Sequence, residues 1–199
     1  TLNGGADFDF ASFEFASSGL TVSLANAGAN TGEAAGDTLL NFEGVIGSQF
    51  NDVIVGNTAA NTLIGLGGND AIAGGDGADT LSGGVGADVL FGEGNNDLIA
   101  GGAGGDVIRG GLGGDLIVFN AGDNGDFIMN FNEGGVRDGF DLRGYFNAAG
   151  FTGNDPRGAG IMRVVQSGAD TDVYLHDAFA FRIGGVVAAA IDDTYFLFQ

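Results

Sequence analysis

The sequence predicts an all-β fold: a right-handed parallel β-roll, preceded by a β-strand lead-in and followed by an antiparallel β cap. Three observations predict it. A nine-residue repeat keeps its frame without insertion over residues 47–118. Glycine, at 41 of 199 residues, recurs with aspartate at fixed columns of that repeat. Of the 17 phenylalanines only Phe50 and Phe91 lie inside the frame, so the flanks need packing of their own. The chain therefore divides into a lead-in (1–46), the roll (47–118) and a cap (119–199).

In rows of nine the roll reads GSQFNDVIV, GNTAANTLI, GLGGNDAIA, GGDGADTLS, GGVGADVLF, GEGNNDLIA, GGAGGDVIR and GGLGGDLIV. Column one is always glycine, including Gly65, Gly74, Gly83, Gly92, Gly101 and Gly110. Column four adds Gly68, Gly77, Gly86, Gly104 and Gly113. Column six holds Asp52, Asn61, Asp70, Asp79, Asp88, Asp97, Asp106 and Asp115. Column eight is always Ile or Leu. A disordered Gly/Asp-rich tract would not hold an aliphatic residue in phase over so many rows.

Each row reads as a tight loop followed by a short strand. Glycines in columns one, two and four admit positive φ, so six residues close a loop. Columns seven to nine favour β-structure, with column eight pointing inward and its neighbours outward. A row supplies one strand and one loop, so two rows make a turn and row n lies over row n+2. Asp52, Asp70, Asp88 and Asp106 then stack on one side, and Asn61, Asp79, Asp97 and Asp115 on the other.

Stacked turns lie about 4.8 Å apart. Bare carboxylates at about 5 Å repel by roughly 3 kcal/mol per pair at an effective dielectric near 20. A cation between them reverses the sign. The donors on offer are carboxylates and loop carbonyls, without His or Cys, and this all-oxygen set favours calcium over magnesium, which demands a stricter octahedron.

Charge and composition exclude other partners. The 26 acidic residues face six arginines, for a net charge of −20. That balance argues against nucleic acid and against anionic membranes. There is no cysteine, hence no disulfide framework and no thiolate site. No apolar stretch is long enough to span a bilayer, and no Sec-type signal peptide is visible at the N-terminus.

These rows resemble the RTX (repeats-in-toxin) nonapeptide GGxGxDxUx of type I secreted bacterial proteins. Rows 74–82, 83–91, 101–109 and 110–118 match it fully, and row 65–73 lacks only the second glycine. The resemblance implies a calcium ion between loops of successive turns, held by the two column-six aspartates and nearby carbonyls. The pairs it favours are Asp70/Asp88, Asp88/Asp106, Asp79/Asp97 and Asp97/Asp115, within a total of about four to six ions. Asp52 and Asn61 sit in rows whose loops lack the glycines, so they read mainly as scaffold. Asp123 and Asp126 follow the last row and are candidates for a terminal ion site, weighed evenly against a plain turn.

In the lead-in, Phe8, Phe10, Phe13 and Phe15 suggest a strand, as does the run Leu20–Leu24. GGADFDFAS at 4–12 reads as a degraded earlier repeat, which implies that the chain starts inside a longer protein. Asp9 and Glu43 are more economically solvated carboxylates than ligands. In the cap, Val164-Val165 and Val173–Leu175 flank a hairpin turn at Ser167–Asp170. GDNGDFIMNF, DGFDLRGYF and IDDTYFLFQ resemble the region after the roll in serralysin-type proteases, which implies strands closing the roll and an export signal for the type I secretion machinery.

Catalysis finds no support. His176, the only histidine, reads as structural, and Asp170, Asp172 and Asp177 as turn or surface residues. Neither HExxH nor GxSxG occurs. Asp155-Pro156 reads as a loop turn. Arg137, Arg143, Arg163 and Arg182 read as offsetting the acidic cap, with contact to an acidic polysaccharide or cell surface as the alternative. The expectation is a non-enzymatic, calcium-coupled folding and secretion module of a protein exported by a Gram-negative bacterium, the alternative an adhesive, surface-layer or polysaccharide-binding module.

Overall fold

The computed structural model describes residues 1–120, 122–148, 157, 162–175, 178–186 and 188–197. His176, Asp177 and Asp155-Pro156 lie outside the described residues. The chain winds into two facing parallel sheets. Strands Val53–Val55, Ala71–Asp76, Val89–Gly94 and Val107–Leu112 belong to one; Thr62–Gly67, Thr80–Val85, Leu98–Ala103 and Leu116–Val118 belong to the other. Val89 pairs with Ala71 and with Val107, so row n does lie over row n+2.

Between the sheets runs a single file of aliphatic side chains. Ile54, Leu63, Ile72, Leu81, Leu90, Ile99, Ile108 and Ile117 are each at most 1 % exposed. The β-branched and leucine side chains of column eight fill a core one residue deep per turn. The core is thin, so burial alone contributes little per residue and the loops must be stabilised by other means.

Two local expectations need correction. The strands in the middle of the roll are six residues long, not three: Ala71–Asp76 runs from column seven through column three of the next row. Extended pairing continues through the glycines, because Glu93 still pairs with Gly75 and Gly94 with Asp76. Positive φ falls in column two (Gly75, Gly84, Gly102, Gly111) and column four (Gly68, Gly77, Gly86, Gly104, Gly113), never in column one. Column-one glycine is required for a different reason, set out below.

The sheets run past both ends of the nine-residue frame. Upstream, Phe10–Ser12 and Gly44–Ile46 extend one sheet and Thr21–Ser23 the other, all in parallel. Thr31 and Asn30 cover the outer edge of Thr21–Ser23: the Thr21 N–H donates to Thr31 Oγ1 at 2.9 Å and the Ser23 N–H to Asn30 Oδ1 at 2.7 Å. Downstream, Asp126–Ile128, Gly139–Asp141, Ala178–Ile183 and Phe196–Leu197 continue the parallel pairing. The antiparallel part of the cap is the hairpin Met162–Ser167/Asp170–Leu175 together with its pairing to Ala178–Ile183. A short helix, Arg143–Ala148, interrupts the β-structure.

Aromatic packing closes this end. Phe140 is fully buried, with ring centroids 4.8 Å from Phe131, 4.8 Å from Phe181, 5.5 Å from Phe196 and 6.1 Å from Phe119. The phenylalanines missing from the roll thus build a conventional core at its C-terminal end.

Candidate metal centre

Column six organises each turn through its backbone and its side chain at once. The backbone N–H of each column-six residue donates to the carboxylate Oδ1 of the turn above. The bonds run Asp52 to Asp70, Asp70 to Asp88 and Asp88 to Asp106 on one side, at 2.7–2.8 Å. On the other they run Asn61 to Asp79, Asp79 to Asp97 and Asp97 to Asp115, at 2.7–3.0 Å. One carboxylate oxygen is therefore spent on holding the preceding turn in register.

The other oxygen is left over. Oδ2 of Asp70, Asp79, Asp88, Asp97, Asp106 and Asp115 is buried and has no hydrogen-bond partner. Their side chains are only 1–3 % exposed. A buried carboxylate oxygen without a donor or cation is strongly unfavourable. Burial accordingly pushes these carboxyl groups up, to about 7 for Asp70 and Asp97 and about 6 for Asp79 and Asp106, against a lowering from the backbone N–H each accepts. Neighbouring carboxylates add to the rise: Asp88 and Asp52 for Asp70, and Asp115 and Asp79 for Asp97. Asp88 and Asp115 are raised by burial as well.

Column-one glycine makes the room. A Cβ on Gly65 would stand 2.1 Å from Asp70 Oδ2 and 2.6 Å from the Gly83 carbonyl oxygen of the next turn. The same arrangement, a carboxylate oxygen of the same row and a carbonyl oxygen of the turn above, recurs beside Gly74 (Asp79 and Gly92), Gly83 (Asp88 and Gly101) and Gly92 (Asp97 and Gly110), and also beside Gly47 (Asp52 and Gly65), where Ser48 already occupies the carboxylate oxygen. Each of the first four spots belongs to one of the four aspartate pairs favoured by the sequence. No methyl group fits there, and a buried carboxylate oxygen beside a carbonyl oxygen is a donor pair that suits calcium. Among the described residues no three acidic or histidine side chains converge as a metal cluster. Further oxygens would come from the backbone.

The remaining candidates are engaged by the protein itself. Asp52 Oδ2 accepts from the Ser48 N–H at 2.6 Å and Ser48 Oγ at 3.0 Å, and its Oδ1 accepts from the Leu20 N–H at 3.0 Å. Asn61 Oδ1 accepts from the Asn57 N–H at 2.8 Å, and its amide donates to the Glu43 carbonyl. Asp123 Oδ2 accepts from the Asn120 N–H at 2.6 Å, and Asp126 Oδ1 accepts from the Asp106 N–H at 2.9 Å. Glu43 takes the column-six role beneath the frame, accepting from the Asp9 N–H at 3.1 Å.

Sequence reasoning missed Asp138. Its Oδ1 accepts from the Asp115 N–H at 3.0 Å and its Oδ2 from the Asn132 N–H at 2.5 Å, so it ends one stack with both oxygens satisfied. It stands outside the frame because the intervening loop is five residues longer than a repeat step, a break that nonapeptide spacing cannot bridge.

A parallel β-roll lined by two columns of half-satisfied carboxylates defines a class: repeat proteins whose loops present oxygen donors to hard divalent cations. Residues 46–81, 73–108, 82–117 and 91–125 match the RTX calcium-binding nonapeptide repeat in four copies. Residues 46–125 thus carry repeats of a calcium-binding type. Among solved structures, the chain is similar to the AlgE6R2 subunit of the Azotobacter vinelandii mannuronan C5-epimerase, with 28 % identity over 73 % of this chain and 91 % of that one, at a TM-score of 0.43. It is also similar to the AlgE6R3 subunit of that enzyme (25 % identity, 77 % and 81 % covered, TM-score 0.34). A third is the extracellular lipase LipA of Serratia marcescens (15 % identity, 90 % and 42 % covered, TM-score 0.37). No curated protein was found that matches the chain.

Proposed function

We propose that the chain is a calcium-coupled folding module of an exported protein, non-catalytic in itself. One observation carries this reading: the six buried, unpartnered Oδ2 atoms of Asp70, Asp79, Asp88, Asp97, Asp106 and Asp115. Without calcium the thin aliphatic core must offset six desolvated carboxylates, and the unfolded chain, with those groups hydrated, wins. With calcium, binding free energy becomes folding free energy. The four carboxylate–carbonyl cradles beside Gly65, Gly74, Gly83 and Gly92 are the principal sites.

This coupling suits export. A chain that stays unfolded where calcium is scarce can be threaded through a type I secretion channel, and it folds where calcium reaches the millimolar range of extracellular modules. The arginines are each engaged within the chain: Arg109 with Glu133, Arg137 with Asp192, Arg143 with Asp141, Arg182 with Asp172, Arg157 against Phe196 and Arg163 against Tyr174. Contact with an acidic polysaccharide would have to compete with these pairings.

Circular dichroism of the full chain tests the reading. The β signal should be absent in chelator and should develop cooperatively with added calcium. Equal spectra in both conditions would remove the coupling.

A further inference from the structure

We propose that the outer face of the sheet containing Val53–Val55, Ala71–Asp76, Val89–Gly94 and Val107–Leu112 is a docking surface for a basic, apolar segment of a partner polypeptide. Such a surface uses none of the column-six oxygens and needs calcium only in so far as the roll needs it to fold.

Parallel sheets normally have both faces covered. Here the inner face covers the aliphatic file, and the outer face is bare. Strand register places Val53, Val89, Val107 and Phe127 in one outward row and Val55 and Phe91 in the next, with only alanines between them. Val53 is 42 % exposed and the other five are partly exposed. Neither row carries an ionisable side chain before Arg109. The corresponding positions of the other sheet mix Thr62, Thr80 and Ser82 with Leu98. An uncharged apolar strip on one face of so acidic a chain marks a contact site.

Clefts run along this face, and their margin is acidic. One of about 520 Å³ includes Val55, Asn57, Asp76 and Glu93 in its wall; the next, of about 260 Å³, is bounded by Phe91, Glu93 and Arg109. Asp76 and Glu93 are exposed, and among the described residues no ion pair engages either. Arg109 is already paired with Glu133, and no basic side chain precedes it in the sequence. Two uncompensated carboxylates beside an apolar floor are complemented by Lys or Arg side chains. Glu93 also has a φ of +78° in a column that is glycine in the flanking rows, at Gly84 and Gly102. A left-handed conformation disfavours a side chain, so this carboxylate stands there against the local backbone preference.

Other occupants fit less well. Four strand steps from Val53–Val55 to Asp126–Ile128 span about 19 Å, and a six-residue strand about 20 Å, so the face offers roughly 400 Å². A stable pair of copies buries about 800 Å² on each partner, and two such faces would bring Asp76 and Glu93 together within chains of net charge −20. Acidic polymers and anionic lipid surfaces meet the same repulsion. A neutral glycan would find few hydrogen-bonding groups on a floor of valine, alanine and phenylalanine. One extended segment fits: about 19 Å takes about six residues, with apolar side chains on the floor and basic ones at Asp76 and Glu93.

Fluorescence polarisation tests this, with the full chain in saturating calcium and a labelled eight-residue peptide alternating valine and lysine. Asp76 and Glu93 act on Asp79, so circular dichroism first establishes that each variant is folded to the wild-type extent. The basic peptide should bind, more weakly as salt rises, and a peptide alternating valine and glutamate should not. Glu93→Gly restores the glycine of the flanking rows. It should bind the peptide several-fold more weakly while its roll is at least as stable, a combination that a merely structural carboxylate would not give. Phe91→Thr keeps β-propensity and should weaken binding about tenfold. Leu98→Thr, on the other sheet, should bind as the wild-type chain does. Absence of binding, or equal binding by Glu93→Gly and Phe91→Thr, would overturn the surface. So would a neutral oligosaccharide that binds in place of the peptide, or a sedimenting dimer that Phe91→Thr dissociates, since either gives the face to another occupant.

Discussion

The backbone N–H of Asp88 donates to Oδ1 of Asp106 at 2.8 Å, while Oδ2 of the same Asp106 is buried without a partner. One carboxylate thus does two jobs. Its first oxygen sets strand register, and its second creates the demand for a cation. Neutralising such a residue should therefore uncouple the two roles, because an Asn oxygen still accepts the N–H.

Asp97→Asn should keep the roll's register but lose calcium affinity at the two pairs it serves, those with Asp79 and Asp115. Removing one partner of a buried charged contact typically costs about 3–5 kcal/mol. Asp52→Asn is the control, since Ser48 and Leu20 already satisfy its carboxylate. Calcium-dependent thermal unfolding should show a large drop in midpoint for the first variant and a small one for the second.

Gly83→Ala should be disruptive, although Gly83 has no positive φ. Its new methyl would lie 2.3 Å from Asp88 Oδ2 and 2.6 Å from the Gly101 carbonyl. Overpacking of this kind costs about 1–3 kcal/mol, and here it also fills the space between two calcium-facing oxygens. Gly105→Ala, whose nearest neighbour would be the Gly125 carbonyl at 3.5 Å, should be nearly neutral. Calcium titration followed by circular dichroism distinguishes them.

Leu66 occupies a glycine column with a φ of +82°. A left-handed conformation costs a non-glycine residue about 1–2 kcal/mol, partly offset by the roughly 0.5–1 kcal/mol that glycine loses in backbone entropy. Leu66→Gly should raise stability in saturating calcium by up to about 1 kcal/mol, measurable by denaturant titration. A drop in stability would mean that the leucine side chain contributes more than its backbone costs.

The pH dependence should change sign with calcium. In chelator, Asp70 and Asp97 titrate near 7 in the folded chain and Asp79 and Asp106 near 6, against 3.8 in the unfolded chain. The folded state then binds protons more tightly, so residual structure is favoured at low pH and lost as pH rises from about 4 through 7. With calcium present, protons compete for the same oxygens, so apparent affinity should fall as pH drops from 7 towards 5. Circular dichroism in both buffers across that range reads the reversal directly.

Phe140→Ala should damage the cap more than the roll. The ring is fully buried among Phe119, Phe131, Phe181 and Phe196. Phe→Ala in a core costs about 3–5 kcal/mol. Near-ultraviolet dichroism should lose most of its signal, while far-ultraviolet β signal in high calcium should fall less.

Much of the roll was legible in the sequence, because a strict period fixes which residues recur in space. Column eight determined the inward file from Ile54 to Ile117. Column six determined which aspartates stack and, with no His or Cys nearby, the hard-oxygen character of the site. The same spacing marked Asp52 and Asn61 as doubtful, since their loops lack the glycines.

The tertiary structure decided what periodicity cannot encode. It showed that column-one glycine is needed for the space its missing Cβ leaves beside Asp Oδ2, because that requirement arises from a carboxylate folding back across the loop and not from backbone angles. It showed that each aspartate gives one oxygen to the preceding turn and keeps one in reserve, a division visible only when two turns are stacked. It carried the parallel sheets past residue 118 through Asp126 and Asp138, whose steps of 20 and 23 residues break the frame while their strands keep it. Spacing along the chain is a reliable guide to position only while loop length is constant; where loops lengthen, hydrogen bonding between strands restores the register, and that happens in three dimensions.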